Sequence, residues 1–221
     1  MSQSKETLQT GAHVSRIKSI KFFAPARSIK EANSILPKVN ELVEGYVQAL
    51  LPWKEDASTL QQASDSLWDL ARVAALKSGT INPWDQVWDY VWKEASYSAR
   101  ENYGWYGGGY VSGEMARDAA HDAAKYASRY VAYESAKEKL QKPNPFEYVI
   151  ELYSMGLKPT YFRKVNDQER FVVDFPIQNN NNNSLGCYVQ GDSEIMYAHR
   201  WNEYCSGLQK LKEDFSSRNI L

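Results

Sequence analysis

The chain has few cysteines and histidines, and it lacks any long apolar run. Its 221 residues include two Cys and three His, so a disulfide framework is excluded and the options for catalysis are limited. No stretch approaches the roughly 20 apolar residues of a membrane span, and the first residues lack the apolar segment of a secretory signal. We therefore expect a cytoplasmic, reducing location. The sequence leaves open whether Cys187 and Cys205 ever pair.

The chain also lacks a basic excess. Its formal net charge is −1, whereas a domain that binds nucleic acid over its surface is normally basic. Basic residues are concentrated near the start, because residues 1–30 hold six Lys or Arg and one Glu. We predict a basic, partly disordered arm over residues 1–24 and a single helical domain over residues 25–221. Nucleic acid is not expected as a partner, except through this arm.

Tryptophan and alanine residues recur at helical spacing in the centre of the chain. Trp84, Trp88 and Trp92 lie four apart and are predicted to face the core. Thin alanine surfaces let helices approach closely, and tryptophans fill the space between them. We therefore predict an antiparallel helix pair, joined by the glycine-containing connection between the two series. The second helix begins near Ser112 and carries six regularly spaced alanines: Ala116, Ala119, Ala120, Ala123, Ala124 and Ala127.

Two earlier helices are predicted from their caps and their apolar periodicity. Ser28 and Glu31 form a capping box, and the interior Pro37 is expected to break or kink the helix that follows. A second helix opens near Ser58 and ends at Gly79. It is predicted to turn six side chains inward: Leu60, Ala63, Leu67, Leu70, Ala71 and Ala74.

Asn-Pro dipeptides at 82–83 and 144–145 predict two further helix starts, because Asn caps a helix and Pro suits its first position. Gly156 predicts the end of the second of these helices.

The pattern changes from helix to strand in the last third of the chain. Residues 160–165 and 170–175 are predicted to form a β-hairpin, and the Asn-rich residues 178–184 are predicted to be a loop. A last helix is expected from about Ser193, with five residues on its apolar face: Ile195, Ala198, Trp201, Cys205 and Leu208. The predicted fold is mainly α, an irregular helical bundle with a small C-terminal β-hairpin.

Residues 144–159, followed by residues 171–176, carry a resemblance. An alanine-rich stretch leads into Asn-Pro-Phe-Glu, a short helix, a glycine and a small hairpin. This ending resembles that of a group of uncharacterised bacterial and archaeal Ala-rich helical proteins, over residues 112–176 of this chain. The sequence departs from the pattern at Tyr148, where proline is often found. It also departs at 160–161, where a glycine often lies. The resemblance implies an architecture and transfers no activity.

The histidines are not accompanied by the partners that catalysis or metal binding needs. His13 lies in the polar N-terminal segment. Asp118 and His121 share a helix face, but no second such pair completes a metal site. His199 and Glu203 could orient an imidazole, but no nucleophile accompanies them. We predict no metal site, no cofactor and no identifiable catalytic residue.

The connection between the two central helices is rich in aromatic residues, where a loop would usually be polar. We predict that four of them form a ligand-binding or partner-binding surface: Tyr103, Trp105, Tyr106 and Tyr110. The alternative is that this bend folds back as a plug over the end of the bundle.

The absence of a catalytic constellation favours a non-enzymatic binding or interaction protein that uses this aromatic-glycine loop as its contact surface. The alternative is a small-molecule sensor or enzyme, with a pocket inside the helical bundle lined by Tyr126, Tyr130 and Tyr133. The partner is accordingly a protein or a small ligand, and enzyme activity and oligomeric state are left open.

Overall fold

The computed structural model describes residues 11–55, 57–77, 79, 82–102, 109–165, 167–179 and 182–197. Within these ranges the chain is mainly helical with a small sheet near the C-terminal end, as predicted. None of the helices in this part of the chain is long and apolar enough to cross a membrane. The helices are α1 (11–18), α2 (Ile29–Leu50), α3 (Leu60–Lys77), α4 (Pro83–Asn102), α5 (Gly109–Leu140) and α6 (Phe146–Ser154), with a 3₁₀ helix at Leu51–Trp53.

Helix α5 forms the centre of the helical part, and the predicted pairing with α4 is confirmed. All six alanines of its predicted face are buried. The Ser128 hydroxyl donates to the Trp84 carbonyl at 3.0 Å, and the rings of Trp88 and His121 meet at 5.1 Å. The contact that lies later in α4 lies earlier in α5, so the two helices are antiparallel.

Helix α3 packs on α5 in the opposite sense. Arg129 donates to the Ser64 hydroxyl at 3.0 Å, and Lys139 donates to the Ala74 carbonyl at 3.4 Å. The contact that lies later in α3 also lies later in α5, so the two helices run parallel.

The predicted inward faces of α3 and α4 are wrong at one position each. Leu70 is 46% exposed and Trp92 is 42% exposed. On α4 the buried row is Trp84, Val87, Val91, Ala95 and Ala99. A strict four-residue series drifts by about 40° per step around a helix with 3.6 residues per turn. The third tryptophan is therefore rotated out of the core.

The capping box that opens α2 is confirmed, and of the two effects predicted for Pro37, a break or a kink, the break does not occur. The Ser28 amide donates to the Glu31 carboxylate at 2.9 Å, and the Glu31 amide donates to the Ser28 hydroxyl at 3.3 Å. The helix then continues through Pro37 to Leu50. Pro37 and Asn33 are both exposed, so the carbonyl that loses its amide partner lies on the side that water reaches.

The predicted Asn-Pro starts of α4 and α6 and the predicted glycine ends of α3 and α6 are confirmed, whereas α5 begins at Gly109 and not near Ser112. Helix α4 begins at the proline of its Asn-Pro dipeptide, and α6 begins directly after its own dipeptide. The Asn144 side chain accepts a hydrogen bond from the Phe146 amide at 3.0 Å. Gly79 and Gly156 follow the ends of α3 and α6 with φ values of 80° and 74°. This left-handed conformation is the one that favours glycine at a helix end.

The sheet contains β1 (Arg27–Ser28), β2 (Lys158–Val165), β3 (Gln168–Asn179), β4 (Asn182–Val189) and β5 (Met196–Tyr197). The predicted hairpin is confirmed as β2 and β3, which pair antiparallel. Strand β3 is central, because β1, β2 and β4 each pair with it. Strand β5 pairs with β4.

Two C-terminal predictions need correction. Residues 178–184 are not simply a loop, because β3 continues to Asn179 and pairs with β4 from Asn182 onward. A two-residue connection is a common length for a hairpin, and asparagine is favoured in such turns. The helix expected from Ser193 does not begin there, since Met196 and Tyr197 pair with β4. Residues 198–221 lie outside the described residues.

The predicted basic arm does not extend over residues 11–24. Residues 11–18 are helical, and Ile17, Phe22 and Phe23 are buried. The ring of Phe22 lies 5.6 Å from that of Tyr153 in α6. This segment therefore belongs to the folded core, because three apolar side chains offset its basic composition. Residues 1–10 lie outside the described residues.

Candidate functional site

The predicted contact residues fall largely outside the part of the chain that the structure describes. Tyr103, Trp105 and Tyr106 lie in the undescribed range 103–108. Tyr110 belongs to α5, but its side chain is not among those described. Whether these residues form a contact surface or a plug therefore stays a prediction.

The structure does describe the half of α4 that leads into this connection. Trp92 is 42% exposed and Tyr97 is 60% exposed. A partner that covered these two rings would remove much apolar area from water. We use the name aromatic end for Trp92, Tyr97 and the connection 103–110 together.

The aromatic end is anchored to the body of the protein by the N-terminal segment. The Tyr90 hydroxyl donates to the Lys18 carbonyl at 3.1 Å. The Asn102 side chain donates to the Phe23 carbonyl at 2.6 Å. The ring of Trp88 packs edge-on against the ring of His121 on the other side of α4. These contacts fix α4 on both sides of the exposed aromatic residues.

The exposed apolar residues of α3 form a separate surface. Leu70, Val73 and Leu76 are exposed, and they lie beside the C-terminal half of α5, since α3 runs parallel to it. Trp92 lies beside the N-terminal half of α5. At 1.5 Å per residue the two surfaces are roughly 25 Å apart along the helix axis.

A second cluster brings together residues that sequence reasoning did not connect. His13 Nε2 lies 3.5 Å from a carboxylate oxygen of Glu134, and His13 Nδ1 lies 3.2 Å from the Tyr130 hydroxyl. Arg16 donates to the same hydroxyl at 2.9 Å and to Glu147 at 3.0 Å. His13 is thus not part of a loose segment.

This cluster holds α1 against α5 and α6. Burial lowers the pKa of His13, and Glu134 opposes that shift. Burial also raises the pKa of Tyr130, although Arg16 opposes it. Neutral His13 can accept from the Tyr130 hydroxyl through Nδ1 and donate to Glu134 through Nε2. The Tyr130 ring is buried, so the chain of hydrogen bonds is suited to anchoring a helix.

A buried polar network joins α2, α3 and α5. The hydroxyls of Tyr46 and Ser64 are 3.0 Å apart, and Arg129 donates to the Ser64 hydroxyl and to Asp65 at 3.0 and 2.5 Å. Burial raises the pKa of Tyr46 to about 12. Burial also opposes ionisation of Asp65, but Arg129 and the Gln61 side chain outweigh it and lower the pKa of this carboxyl. The Asp65 carboxyl is therefore ionised at neutral pH and pairs with Arg129.

The tyrosines predicted to line a pocket in the bundle pack against other rings. Tyr126, Tyr130 and Tyr133 are all buried. The rings of Tyr126 and Tyr133 lie 6.5 and 6.4 Å from that of Phe146. They contribute to the core in the way that paired aromatic rings usually do.

Within the described ranges, no group of three His, Cys, Asp or Glu side chains is placed to hold a metal ion. Comparison of the chain with protein-family models, with curated proteins and with solved structures finds no match. The resemblance over residues 112–176 stays a prediction, and function has to be inferred from the residues themselves.

Proposed function

We propose that this protein is a non-enzymatic interaction protein that contacts a partner protein through its aromatic end. The observation that carries the proposal is the exposure of Trp92 at the middle of α4 and of Tyr97 between it and the connection. Trp and Tyr are the residues most enriched among those that dominate binding energy at protein interfaces. The connection supplies four more aromatic residues in the sequence.

The positions of the two exposed rings define the shape of the contact. Trp92 and Tyr97 are five residues apart, which places them about 140° apart around the helix. A partner with a flat surface can cover only one of them. A partner that covers both must reach around the exposed side of α4.

The anchoring of α4 supports tight binding. Hydrogen bonds from Tyr90 and Asn102 hold the helix to residues 18–23. A contact surface that is ordered before binding loses less conformational entropy when the partner docks.

The exposed charges of α4 favour a protein over a nucleic acid as the partner. Four of these side chains are acidic and two are basic: Asp85, Asp89, Glu94 and Glu101 against Lys93 and Arg100. Nucleic acid binding depends on neutralising phosphates with basic residues, and this surface has an acidic excess.

Affinity capture with matched variants tests the proposal. We expect the wild-type chain to retain a partner from native lysate that the double variant Trp92→Ala/Tyr97→Ala does not retain. A variant with Leu70→Ala and Val73→Ala removes similarly exposed apolar groups from the separate α3 surface and should retain the same partner. Loss of the partner in the α3 variant, with retention in the α4 variant, would contradict the proposal.

Stability measurements separate a contact role from a core role. Trp92→Ala should change the free energy of unfolding by less than about 1 kcal/mol, as is usual for exposed residues. Trp84→Ala, on the buried row of the same helix, should cost about 3 kcal/mol or more. Chemical denaturation of both variants measures the difference, and equal losses would assign Trp92 to the core.

A further inference from the structure

The sheet buries apolar side chains on both of its faces. Successive residues of a strand point to opposite faces, and the main core takes Phe171 and Val173 from β3. Val172 therefore points to the other face, and the strand register places Val189 of β4 opposite it. We use the name outer face for this side of the sheet. It carries a second apolar cluster, formed by Val165, Val172, Cys187 and Val189.

The outer face is buried, although none of the described helices contributes to its apolar cluster. None of the four side chains is more than 7% exposed. Helix α2 lies on the opposite face, where the rings of Tyr46 and Phe171 meet at 4.9 Å. Because an apolar sheet face is buried only under a second layer, the cover has to come from elsewhere in the chain.

The border of the outer face is polar. Lys158 lies 3.8 Å from Asp174, which is the register partner of Cys187. Arg170 lies 3.4 Å from Asp192, and it is on the same face as Val172 because the two are separated by one residue. An apolar centre with a polar border is the usual organisation of a surface on which another element packs.

The C-terminal residues 198–221 follow directly from this part of the sheet. Strand β5 ends at Tyr197, and Met196 is the register partner of Cys187. As a helix, residues 198–221 would span roughly 36 Å at 1.5 Å per residue. Crossing the sheet from β5 to β2 takes only about 15 Å at roughly 5 Å between neighbouring strands. The segment is therefore long enough to cover the outer face.

The sequence of the segment has the pattern of a covering helix. Apolar residues recur at three- or four-residue spacing, and most residues between them are polar, which is typical of an amphipathic helix. A helix of this length depends on the packing of its apolar stripe for stability. The stripe consists of Ala198, Trp201, Cys205, Leu208, Leu211 and Phe215.

We propose that residues 198–221 dock on the outer face of the sheet as an amphipathic helix. The apolar stripe then packs on the cluster of Val165, Val172, Cys187 and Val189, and the polar residues of the segment face water. Each surface supplies the apolar partner that the other needs. The proposal is independent of a partner at the aromatic end.

The two cysteines of the chain test the docking, because the proposal places both thiols between the segment and the sheet. The full chain is reduced and labelled with N-ethylmaleimide, with Cys187 and Cys205 each measured in a variant in which the other is Ser. The comparison is the thiol introduced by Ser206→Cys in a chain that lacks both natural cysteines, since residue 206 is turned roughly 100° from residue 205 around a helix. Cys187 and Cys205 should each react about tenfold or more slowly than this thiol. Equal rates at positions 205 and 206 would overturn the proposal.

Matched charge substitutions identify the segment as the cover. In the full chain with Cys205→Ser, Trp201→Asp should speed the labelling of Cys187 by about tenfold or more, because a buried unpaired carboxylate opposes docking. Ser206→Asp adds the same charge away from the stripe and should leave the rate unchanged. If circular dichroism shows that Trp201→Asp does not fold, Leu208→Asp takes its place with the same expected result. Unchanged slow labelling of Cys187 in the folded variant would assign the cover to another part of the chain or to a second copy, and would overturn the proposal.

Discussion

Gly156 and Gly79 have nearly the same backbone conformation but different surroundings. Their φ values are 74° and 80°, which L-residues adopt at a cost. A Cβ atom on Gly156 would lie 2.8 Å from the backbone nitrogen of Ala24, whereas a Cβ atom on Gly79 would meet nothing within 4 Å. Gly156 therefore combines a conformational requirement with a close approach of two backbone segments.

This contrast predicts different losses for the same substitution. Gly79→Ala should cost about 1 kcal/mol of unfolding free energy from the backbone conformation alone. Gly156→Ala should cost about 3 kcal/mol, because overlap with Ala24 adds to that strain. Denaturant unfolding of both variants measures the difference. Similar losses for the two glycines would show that residue 24 is not held against Gly156.

His13 makes the docking of α1 depend on pH. Burial lowers its pKa below the ordinary value of 6.5, Lys137 and Arg16 lower it further, and Glu134 and Glu147 oppose the shift. The unfolded chain then binds a proton more readily than the folded protein. Stability from this residue is therefore full above pH 6.5 and is lost as the pH falls through 6.5 toward the folded pKa.

The variant His13→Gln isolates this contribution. Between neutral and mildly acid pH, the wild-type chain should lose more unfolding free energy than the variant does. Denaturant unfolding over that pH range gives both slopes, and the carboxylates common to the two proteins affect both slopes equally. A steeper loss in His13→Gln would mean that protonation strengthens the contact with Glu134.

At the scale of elements, α1 stabilises the fold although its sequence is polar and basic. Ile17 is buried between α1 and the body of the protein, whereas Lys21 is exposed. Ile17→Ala should cost about 3 kcal/mol. The control Lys21→Ala should change stability by less than about 0.5 kcal/mol. Thermal or chemical unfolding distinguishes the two, and a neutral Ile17→Ala would restore the interpretation of this segment as a loose arm.

The elements that were predicted correctly are those whose signals are local. The capping box of Ser28, the Asn-Pro starts and the glycine ends depend on residues within one helical turn. The alanine face of α5 was also predicted, because a series at three- and four-residue spacing stays on one side of a helix.

The errors arose where contacts between distant residues decide the outcome. Trp92 and Leu70 are a separate case, because helix geometry alone rotates them away from the buried rows, which continue beyond them to Ala99 and Ala75. The strand at residues 178–179 forms because β4 pairs with it, which overrides the weak strand preference of asparagine. His13 and Tyr130 are separated by 117 positions in the sequence, and a lone histidine in a polar segment carries no signal of such a contact.

For the whole molecule, α5 places two separate features along one axis. The aromatic end lies near its start, and His13 docks further along at residues 130–134. The mainly α fold could be predicted from periodicity alone. The positions of these features could not, because they depend on which face of α5 each neighbouring element covers.

The most direct test of the proposed function is photo-crosslinking from defined positions. A photo-reactive amino acid replaces Trp92 in one variant and Leu70 in another, and both are irradiated in native lysate. The exposed fractions of the two side chains are similar, at 42% and 46%, so reactivity with bystander proteins should be matched. We predict a discrete adduct from position 92 that is absent from position 70. An adduct from position 70 alone, or the same products from both positions, would contradict a partner surface at the aromatic end.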